Sequence, residues 1–183
     1  EIPPNEIINM CIDKNCKIIA YTYSEPTIFY EYMLDIAKLA RKNKIKNVLV
    51  SNGYINEKPL KELCKHIDGA NIDLKSFNEK IYKRFCNGNL KDVLKSLKIL
   101  KKNKVWLEIT NLVIPEINDN KEETEKMCKW ISTSLGKDVP LHFSKFFPMY
   151  KMSDVEETPI ATLEEMRKIA EDYLEFVYLG NVN

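Results

Sequence analysis

The sequence contains few of the features that mark membrane, secreted or nucleic-acid-binding proteins. No apolar run reaches the roughly 18 residues that a membrane-spanning helix needs. The 28 basic and 27 acidic residues almost cancel, which argues against a domain-wide surface for nucleic acid or anionic lipid. The five cysteines are odd in number, contain no CxxC pair and follow no secretory signal, as is typical of reduced thiols. We therefore predict a cytoplasmic protein with neither a nucleic-acid nor a membrane partner.

The short motifs of several large enzyme classes are also missing. The chain has no GxGxxG, no GxxxxGK followed by Ser or Thr, no HExxH and no GxSxG. Their absence argues against Rossmann cofactors, P-loop nucleotides, zinc proteases and serine hydrolases. Cys11 and Cys16 are five residues apart, which is not a usual metal-ligand spacing. We accordingly predict no metal ligand within this chain.

The composition that remains is that of a globular protein, with 44% hydrophobic and 30% charged residues. A length of 183 residues corresponds to one domain, and we predict a single domain over residues 1–183. The chain opens at Glu1 rather than at Met, and it stops at Asn183 soon after an apolar segment. We therefore expect the domain to be incomplete at both ends.

Short apolar segments alternate with helical patterns along the whole chain. The apolar segments, rich in β-branched and aromatic residues, are 17–23, 47–51, 70–74, 105–110, 140–144 and 176–179. The segments with a 3.6-residue period are 28–42, 57–65, 79–85, 90–102, 121–135 and 163–174. This alternation predicts an α/β fold with a parallel sheet whose strands are buried on both faces. Six strands are too few for an eight-stranded barrel, so a partial open barrel and a doubly wound sheet both remain.

Several residues predict where the helices begin and end. Thr162 and Glu165 have the spacing of a capping box. Asn56 and Asn78 suit helix N-caps, and Gly88 and Gly136 suit helix ends.

Polar residues follow most of the predicted strands, where parallel α/β folds bind their ligands. Asp73 interrupts an apolar strand and needs partners if it is buried, which favours a functional role. For the other strand-end residues a purely structural role stays open. Ser51 and Asn52 suit an ordinary turn, Glu25 could simply start the next helix, and His142 could be a core histidine.

Six segments together resemble a known family. They are YTYSEPT (21–27), VLVSNGYI (48–55), NIDLKSF (71–77), LVIPEIND (112–119), VPLHFSKFFPMY (139–150) and VYLGNV (177–182). In this order they resemble the core of a radical S-adenosylmethionine (SAM) enzyme, on the side of the pyruvate formate-lyase activating enzymes. The greatest likeness is to the radical SAM protein of the AmmeMemoRadiSam system. The resemblance implies a partial open (β/α)6 TIM-like barrel.

The resemblance also implies a SAM-binding site. Ser24, Glu25 and Pro26 stand where the family's GGEP motif holds the SAM amino group. Ser51 and Asn52 match the segment that lines the SAM site after the next strand. SEPT replaces GGEP here, and the loss of two glycines changes how closely the backbone can approach SAM.

Three further residues complete the implied site. Asp73 and Lys75 match the family's DxK motif, and His142 matches a strand-end histidine near SAM. These residue types suit SAM because its amino group needs acceptors, its carboxylate needs a cation and its ribose needs paired hydrogen bonds. No residue of this chain is assigned a catalytic role.

One feature of the family is absent. The CxxxCxxC loop that holds its [4Fe–4S] cluster does not occur in the sequence. The resemblance places that loop and the first strand ahead of Glu1, so the cluster ligands are expected upstream of this chain. We therefore expect this fragment to be inactive by itself.

The leading hypothesis is a radical SAM enzyme as the parent protein. A [4Fe–4S] cluster would cleave SAM reductively to a 5′-deoxyadenosyl radical, which abstracts hydrogen from an unknown small-molecule or protein substrate. Activation of a glycyl-radical or related protein is one form of this function, and an electron donor would be a partner. The alternatives are a cluster-independent lyase or aldolase that uses Lys75 or Lys145 as a Schiff-base nucleophile, and a non-catalytic scaffold.

Overall fold

The computed structural model describes residues 2–182, and its centre is one six-stranded sheet. The strands are β1 (Ile18–Tyr21), β2 (Lys46–Ser51), β3 (Gly69–Asp73), β4 (Trp106–Val113), β5 (Leu141–Lys145) and β6 (Val177–Gly180). Neighbouring strands pair in parallel, and their spatial order is their chain order. A doubly wound sheet would reverse its order at a switch point, so this topology is that of a partial open (β/α)6 barrel. The predicted fold class is confirmed.

Helices connect the strands as the sequence predicts. They are α1 (Pro4–Asp13), α2 (Tyr30–Lys42), α3 (Glu57–Leu63), α4 (Glu79–Ile81), α5 (Leu90–Lys102), α6 (Lys121–Ser134) and α7 (Ile160–Glu171). Short 3-10 turns span Pro26–Phe29 and Tyr150–Met152, and a π-helical turn spans Tyr82–Cys86. In α2 the buried residues Met33, Ile36, Ala37 and Ala40 follow the spacing of an amphipathic helix. No helix among residues 2–182 combines the length and apolar character needed to cross a membrane.

Two compact units make up the chain. Unit 1 contains the described residues up to Ile72 together with Ser96–Leu107. Unit 2 contains Asp73–Lys95 together with the described residues from Glu108 onwards. Each has its own buried core, around Leu49 and Leu60 in unit 1 and around Phe143 and Leu163 in unit 2. A single domain over residues 1–183 stays a prediction.

The strands expose one of their two faces, which the sequence did not predict. In β4 every second residue from Leu107 to Val113 is buried, whereas Glu108, Thr110 and Leu112 between them are partly exposed. β2 alternates in the same way. The apolar runs had suggested burial on both faces, but the second face is only half covered. Polar residues lie on both faces of these strands, with Asn47 and Asn111 on the buried face and Glu108 on the partly exposed one.

Asn47 cross-links unit 1 from within its core. Its side chain accepts a hydrogen bond from the Tyr21 hydroxyl at 2.7 Å and donates to the carbonyl oxygens of Ala37 and His66 at 3.0 and 2.8 Å. Its backbone N–H donates to the Asp68 carboxylate at 2.9 Å. The residue is fully buried, and these bonds satisfy its amide. Asn47 thereby joins β1, α2 and the segment between α3 and β3.

Some predicted boundaries were wrong. α7 begins at Ile160 after Pro159, so Thr162 lies inside the first turn and makes no capping box. Pro159 is the N-cap, and its carbonyl oxygen accepts hydrogen bonds from the Thr162 and Leu163 N–H groups at 3.1 and 3.4 Å, so the helix starts before Thr162. Asn78 is confirmed as an N-cap, since its side chain accepts from the Lys80 N–H at 2.8 Å. The predicted strand 105–110 continues to Val113.

Candidate functional site

Glu25 is the centre of a polar cluster in unit 1. It follows β1 and caps the 3-10 turn that starts at Pro26. Its Oε1 accepts hydrogen bonds from the Thr27 N–H at 3.2 Å, the Thr27 hydroxyl at 3.0 Å and the Ser51 hydroxyl at 2.8 Å. Its Oε2 accepts from the Asn52 N–H at 2.9 Å. One carboxylate thus ties the residues after β1 to the end of β2, and we call Glu25, Thr27, Ser51 and Asn52 the Glu25 cluster.

In the Glu25 cluster, Ser51 and Asn52 combine the two roles that the sequence allowed them, that of turn residues and that of residues next to a ligand site. Ser51 also accepts from the Gly53 N–H at 3.1 Å, and Asn52 accepts from the Tyr54 N–H at 2.8 Å, so both residues build a turn. Most acceptor positions of the Glu25 carboxylate are taken by the protein, and the remaining capacity lies on Oε2, which meets one donor among residues 2–182. A ligand ammonium could therefore receive one bond from Glu25 there.

The other residues predicted around Glu25 differ in their surroundings. Pro26 is buried at the start of the 3-10 turn. Ser24 is exposed, and within residues 2–182 its side chain makes no hydrogen bond. The sequence analysis missed Thr27, although a Thr two residues after a helix-starting Glu is positioned to bond to the capping side chain.

Asp73 and Lys75 form an ion pair at the carboxyl end of β3, in unit 2. Lys75 Nζ lies 2.8 Å from Asp73 Oδ2, and their side chains are 43% and 36% exposed, so ligand could reach both charges. The backbone of Lys75 is held on two sides. Its N–H donates to the Tyr82 hydroxyl at 3.1 Å, and its carbonyl accepts from Asn118 at 2.6 Å. The partner that Asp73 was predicted to need is therefore Lys75.

His142 pairs with a residue that the sequence analysis missed. Its Nε2 lies 2.8 Å from Glu108 Oε2, and its ring stacks on Tyr178 with centroids 5.2 Å apart. Glu108 lies on the partly exposed face of β4, and His142 is half-buried, so it is not a core histidine. The signal was available, because Glu108 interrupts an apolar strand as Asp73 does.

Lys145 is one of the two candidate Schiff-base lysines, and its side chain is mostly buried and paired with a glutamate. Its Nζ lies 2.9 Å from Glu157 Oε1 and 4.8 Å from the centroid of the Phe147 ring. Lys75 is likewise engaged by Asp73. A Schiff-base lysine must present a free amine to a carbonyl, and neither lysine does so here.

The cysteines of this chain do not fit an iron–sulfur cluster. Among residues 2–182 no three His, Cys, Asp or Glu side chains are grouped to hold a metal ion. Burial raises the pKa of Cys64 to about 11 and that of Cys128 to about 12. Cluster ligands are thiolates, so these two buried thiols are unsuitable.

Residues 1–131 match the family model described as the Radical SAM superfamily, which is more than half of the chain. The chain belongs to the radical SAM superfamily. The family predicted from the sequence motifs is thereby confirmed, and radical SAM proteins generally use SAM and a [4Fe–4S] cluster.

Relatives of this radical SAM chain include proteins named as activating enzymes. An uncharacterized protein of Methanocaldococcus jannaschii is 45% identical over 183 residues, which is 100% of this chain and 54% of that protein. The pyruvate formate-lyase-activating enzyme of Clostridium pasteurianum is 25% identical over 166 residues, covering 85% of this chain and 68% of that enzyme. The chain thus spans about half of the M. jannaschii relative. The specific likeness to the AmmeMemoRadiSam protein stays a prediction.

A solved structure supports the fold. The crystal structure of a domain of pyruvate-formate lyase-activating enzyme from Bacteroides vulgatus superposes with a TM-score of 0.77 at 15% identity. The match covers 89% of this chain and 98% of that domain. At this identity the likeness concerns the partial barrel alone.

A wide groove in unit 2 lies apart from the predicted site residues. Its volume is about 1250 Å³, and it is lined by residues of α4 and the π-helical turn, by 115–117 and by 151–156. These segments follow β3, β4 and β5. Asp73, Lys75 and His142 are not among its lining residues, so the groove is not evidence for the predicted SAM site.

Proposed function

We propose that this chain is the SAM-binding core of a cytoplasmic radical SAM enzyme that abstracts hydrogen from its substrate. Within this family, SAM bound to a reduced [4Fe–4S] cluster supplies a 5′-deoxyadenosyl radical. Activation of a glycyl-radical or related protein, with the help of an electron donor, is the form that the activating-enzyme relatives favour. Substrate and donor are proposals for the parent protein.

The observation that carries the proposal is the half-exposed Asp73–Lys75 ion pair at the end of β3. SAM has an ammonium, a carboxylate and a ribose diol, so a carboxylate beside an ammonium on one strand end matches it chemically. Asp73 would accept from the ribose hydroxyls, and Lys75 would donate to the SAM carboxylate.

The remaining predicted residues would contribute in smaller ways. Glu25 Oε2 has acceptor capacity for the SAM ammonium, while Ser51 and Asn52 hold that carboxylate in place. His142 would bond to a polar group of the nucleoside. Ser24 is exposed and would act through its backbone. The cluster ligands are proposed to lie upstream of this chain, as the family resemblance implies.

Binding of SAM to this chain tests the proposal directly. Asp73→Asn and Lys75→Met should each weaken SAM binding by about tenfold or more, because the first weakens the acceptor for the ribose hydroxyls and the second leaves the SAM carboxylate without a cation. Isothermal titration calorimetry measures the affinity. The matched control is the exposed pair of Asp35 and Lys38, 3.7 Å apart, whose Asp35→Asn and Lys38→Met variants should bind SAM normally. Affinities of the Asp73 and Lys75 variants within twofold of the wild type contradict the proposal.

The radical chemistry is tested on the parent protein. Anaerobic EPR spectra of the dithionite-reduced protein should contain a cluster signal that shifts when SAM is added. A verified full-length protein that gives no cluster signal after reconstitution overturns the radical SAM assignment of its activity.

A further inference from the structure

Three side chains, Glu108, His142 and Tyr178, contact one another in sequence on the partly exposed face of β4, β5 and β6. Glu108 Oε2 contacts His142 Nε2 at 2.8 Å, and Tyr178 stacks on the same imidazole ring at an interplanar angle of 28°. His142 and Tyr178 are also direct register partners in the parallel pair of β5 and β6. The imidazole is thus held at its edge by Glu108 and at its face by Tyr178.

This contact decides which ring nitrogen of the neutral imidazole carries the proton. An ionised carboxylate can only accept hydrogen bonds, so the nitrogen that faces Glu108 has to be the donor. Nε2 therefore carries the proton, and Nδ1 of the neutral ring carries a lone pair. Among residues 2–182 Nδ1 makes no hydrogen bond.

The burial of the pair is consistent with a ligand-facing role. The side chains of His142 and Glu108 are 28% and 32% exposed, so a ligand could reach the pair. In such a pair the carboxylate of Glu108 would orient the His142 ring that meets the ligand, much as carboxylates orient the histidines of metal sites. Glu108 itself need not touch the ligand to do this.

We propose that Glu108 is a positioning residue that holds His142 in the Nε2–H form, so that Nδ1 accepts a hydrogen bond from the ligand. The group recognised would be an N–H or O–H donor, such as a ribose hydroxyl or the adenine amine of a nucleoside. The hydrogen bond from the ligand to Nδ1 rests on the proposed function, whereas the position of the proton on Nε2 does not.

The tautomer is measured by NMR on the free chain. The sequence contains only two histidines, so the ring signals of His142 are assigned by their loss in His142→Asn. At pH of about 8.5, well above the ordinary imidazole pKa, we expect a protected downfield Nε2–H proton in the wild type. Glu108→Gln should retain it because the amide oxygen still accepts, and Glu108→Ala should lose it. A wild-type ring with its proton on Nδ1, or a protected proton that survives in Glu108→Ala, overturns the proposal.

The matched control is the second histidine–glutamate contact among residues 2–182. His66 Nε2 lies 3.7 Å from Glu62 Oε1 on α3. Glu62→Ala should change neither the His142 signals nor SAM binding. A change in either after Glu62→Ala would show that the readout is not specific to Glu108.

A double-mutant cycle tests whether Glu108 acts through His142. Glu108→Ala should weaken SAM binding about tenfold, and Glu108→Gln should stay within about threefold of the wild type. In a His142→Ala background, Glu108→Ala should have no further effect, since the group that it positions is gone. Additive losses overturn the positioning role and assign Glu108 a direct contact. If the wild-type chain does not bind SAM, the proposed function fails while the NMR result still decides the tautomer.

Discussion

At the residue scale, Glu25 combines a structural role with a proposed binding role. Four protein donors meet its carboxylate, three on Oε1 and one on Oε2. The donors include the backbone N–H groups of Thr27 and Asn52, which cannot be moved without moving the turns that carry them. The carboxylate is therefore fixed before any ligand arrives, and fixed groups lose little conformational entropy on binding.

Replacement of Glu25 by glutamine should destabilise the fold although the side chain keeps its shape. With the amide oxygen at the Oε1 position, the amide nitrogen faces the Asn52 N–H, so one donor meets another. We expect a loss of about 1–2 kcal/mol in the free energy of unfolding, measured by urea denaturation. Glu164→Gln on the exposed face of α7 is the control and should be neutral. A Glu25→Gln variant as stable as the wild type would mean that the donors rearrange freely.

At the element scale, the strands and helices of unit 1 are joined by polar as well as apolar contacts. Apolar burial holds α2 against the sheet but does not choose its position along the strands. The Asn47 amide bonds to Ala37 of α2, to His66 after α3 and to Tyr21 of β1. Hydrogen bonds are directional, so this one side chain specifies how the neighbouring elements align.

Asn47→Leu should therefore cost more than its change in volume suggests. Two carbonyl oxygens and one hydroxyl would be left in the core without their bonds, and we expect a loss of about 2–4 kcal/mol in the free energy of unfolding. Urea denaturation followed by circular dichroism measures it. Asn43→Leu is the control because Asn43 is exposed and bonds only within its own helix end, to Leu39. Equal effects of the two substitutions would contradict the cross-linking role of Asn47.

At the scale of the whole molecule, the buried thiols make stability depend on pH in alkaline solution. Burial raises the pKa of Cys128 from an ordinary value of 9.0 to about 12. The unfolded chain releases this proton above pH 9, while the folded chain keeps it. The contribution to stability is therefore complete below about pH 9 and is lost as the pH rises toward about 12.

Cys128→Ala should reduce the alkaline loss of stability. Between pH 9 and pH 11 we expect the slope of unfolding free energy against pH to become shallower by up to about 1.4 kcal/mol per pH unit. Slopes are compared rather than absolute values, because the substitution also leaves a cavity. Cys16→Ala removes an exposed thiol and is the control. Identical slopes in the wild type and Cys128→Ala would show that Cys128 does not titrate in this range.

Much of the fold could be predicted from local pattern, and the two failures have different causes. The order of strands and helices along the chain followed from periodicity, and Asn78 was correctly predicted to be an N-cap. The capping box at Thr162 was wrong because Pro159, three residues before the expected N-cap, already starts the helix. The exposed second face of the strands was also missed. An apolar run has the same composition whether one or both of its faces are covered, so only the packing distinguishes them.

The amino-acid sequence by itself determined the α/β class, the alternation of strands and helices along the chain and the residues whose motifs indicate the family. These depend on spacing along the chain, which the sequence contains in full. Only the tertiary structure decided the pairings, namely Glu25 with Ser51 and Asn52, and His142 with Glu108 and Tyr178. Such pairs join residues that are far apart in the chain, and no local pattern encodes which distant group a polar side chain will meet.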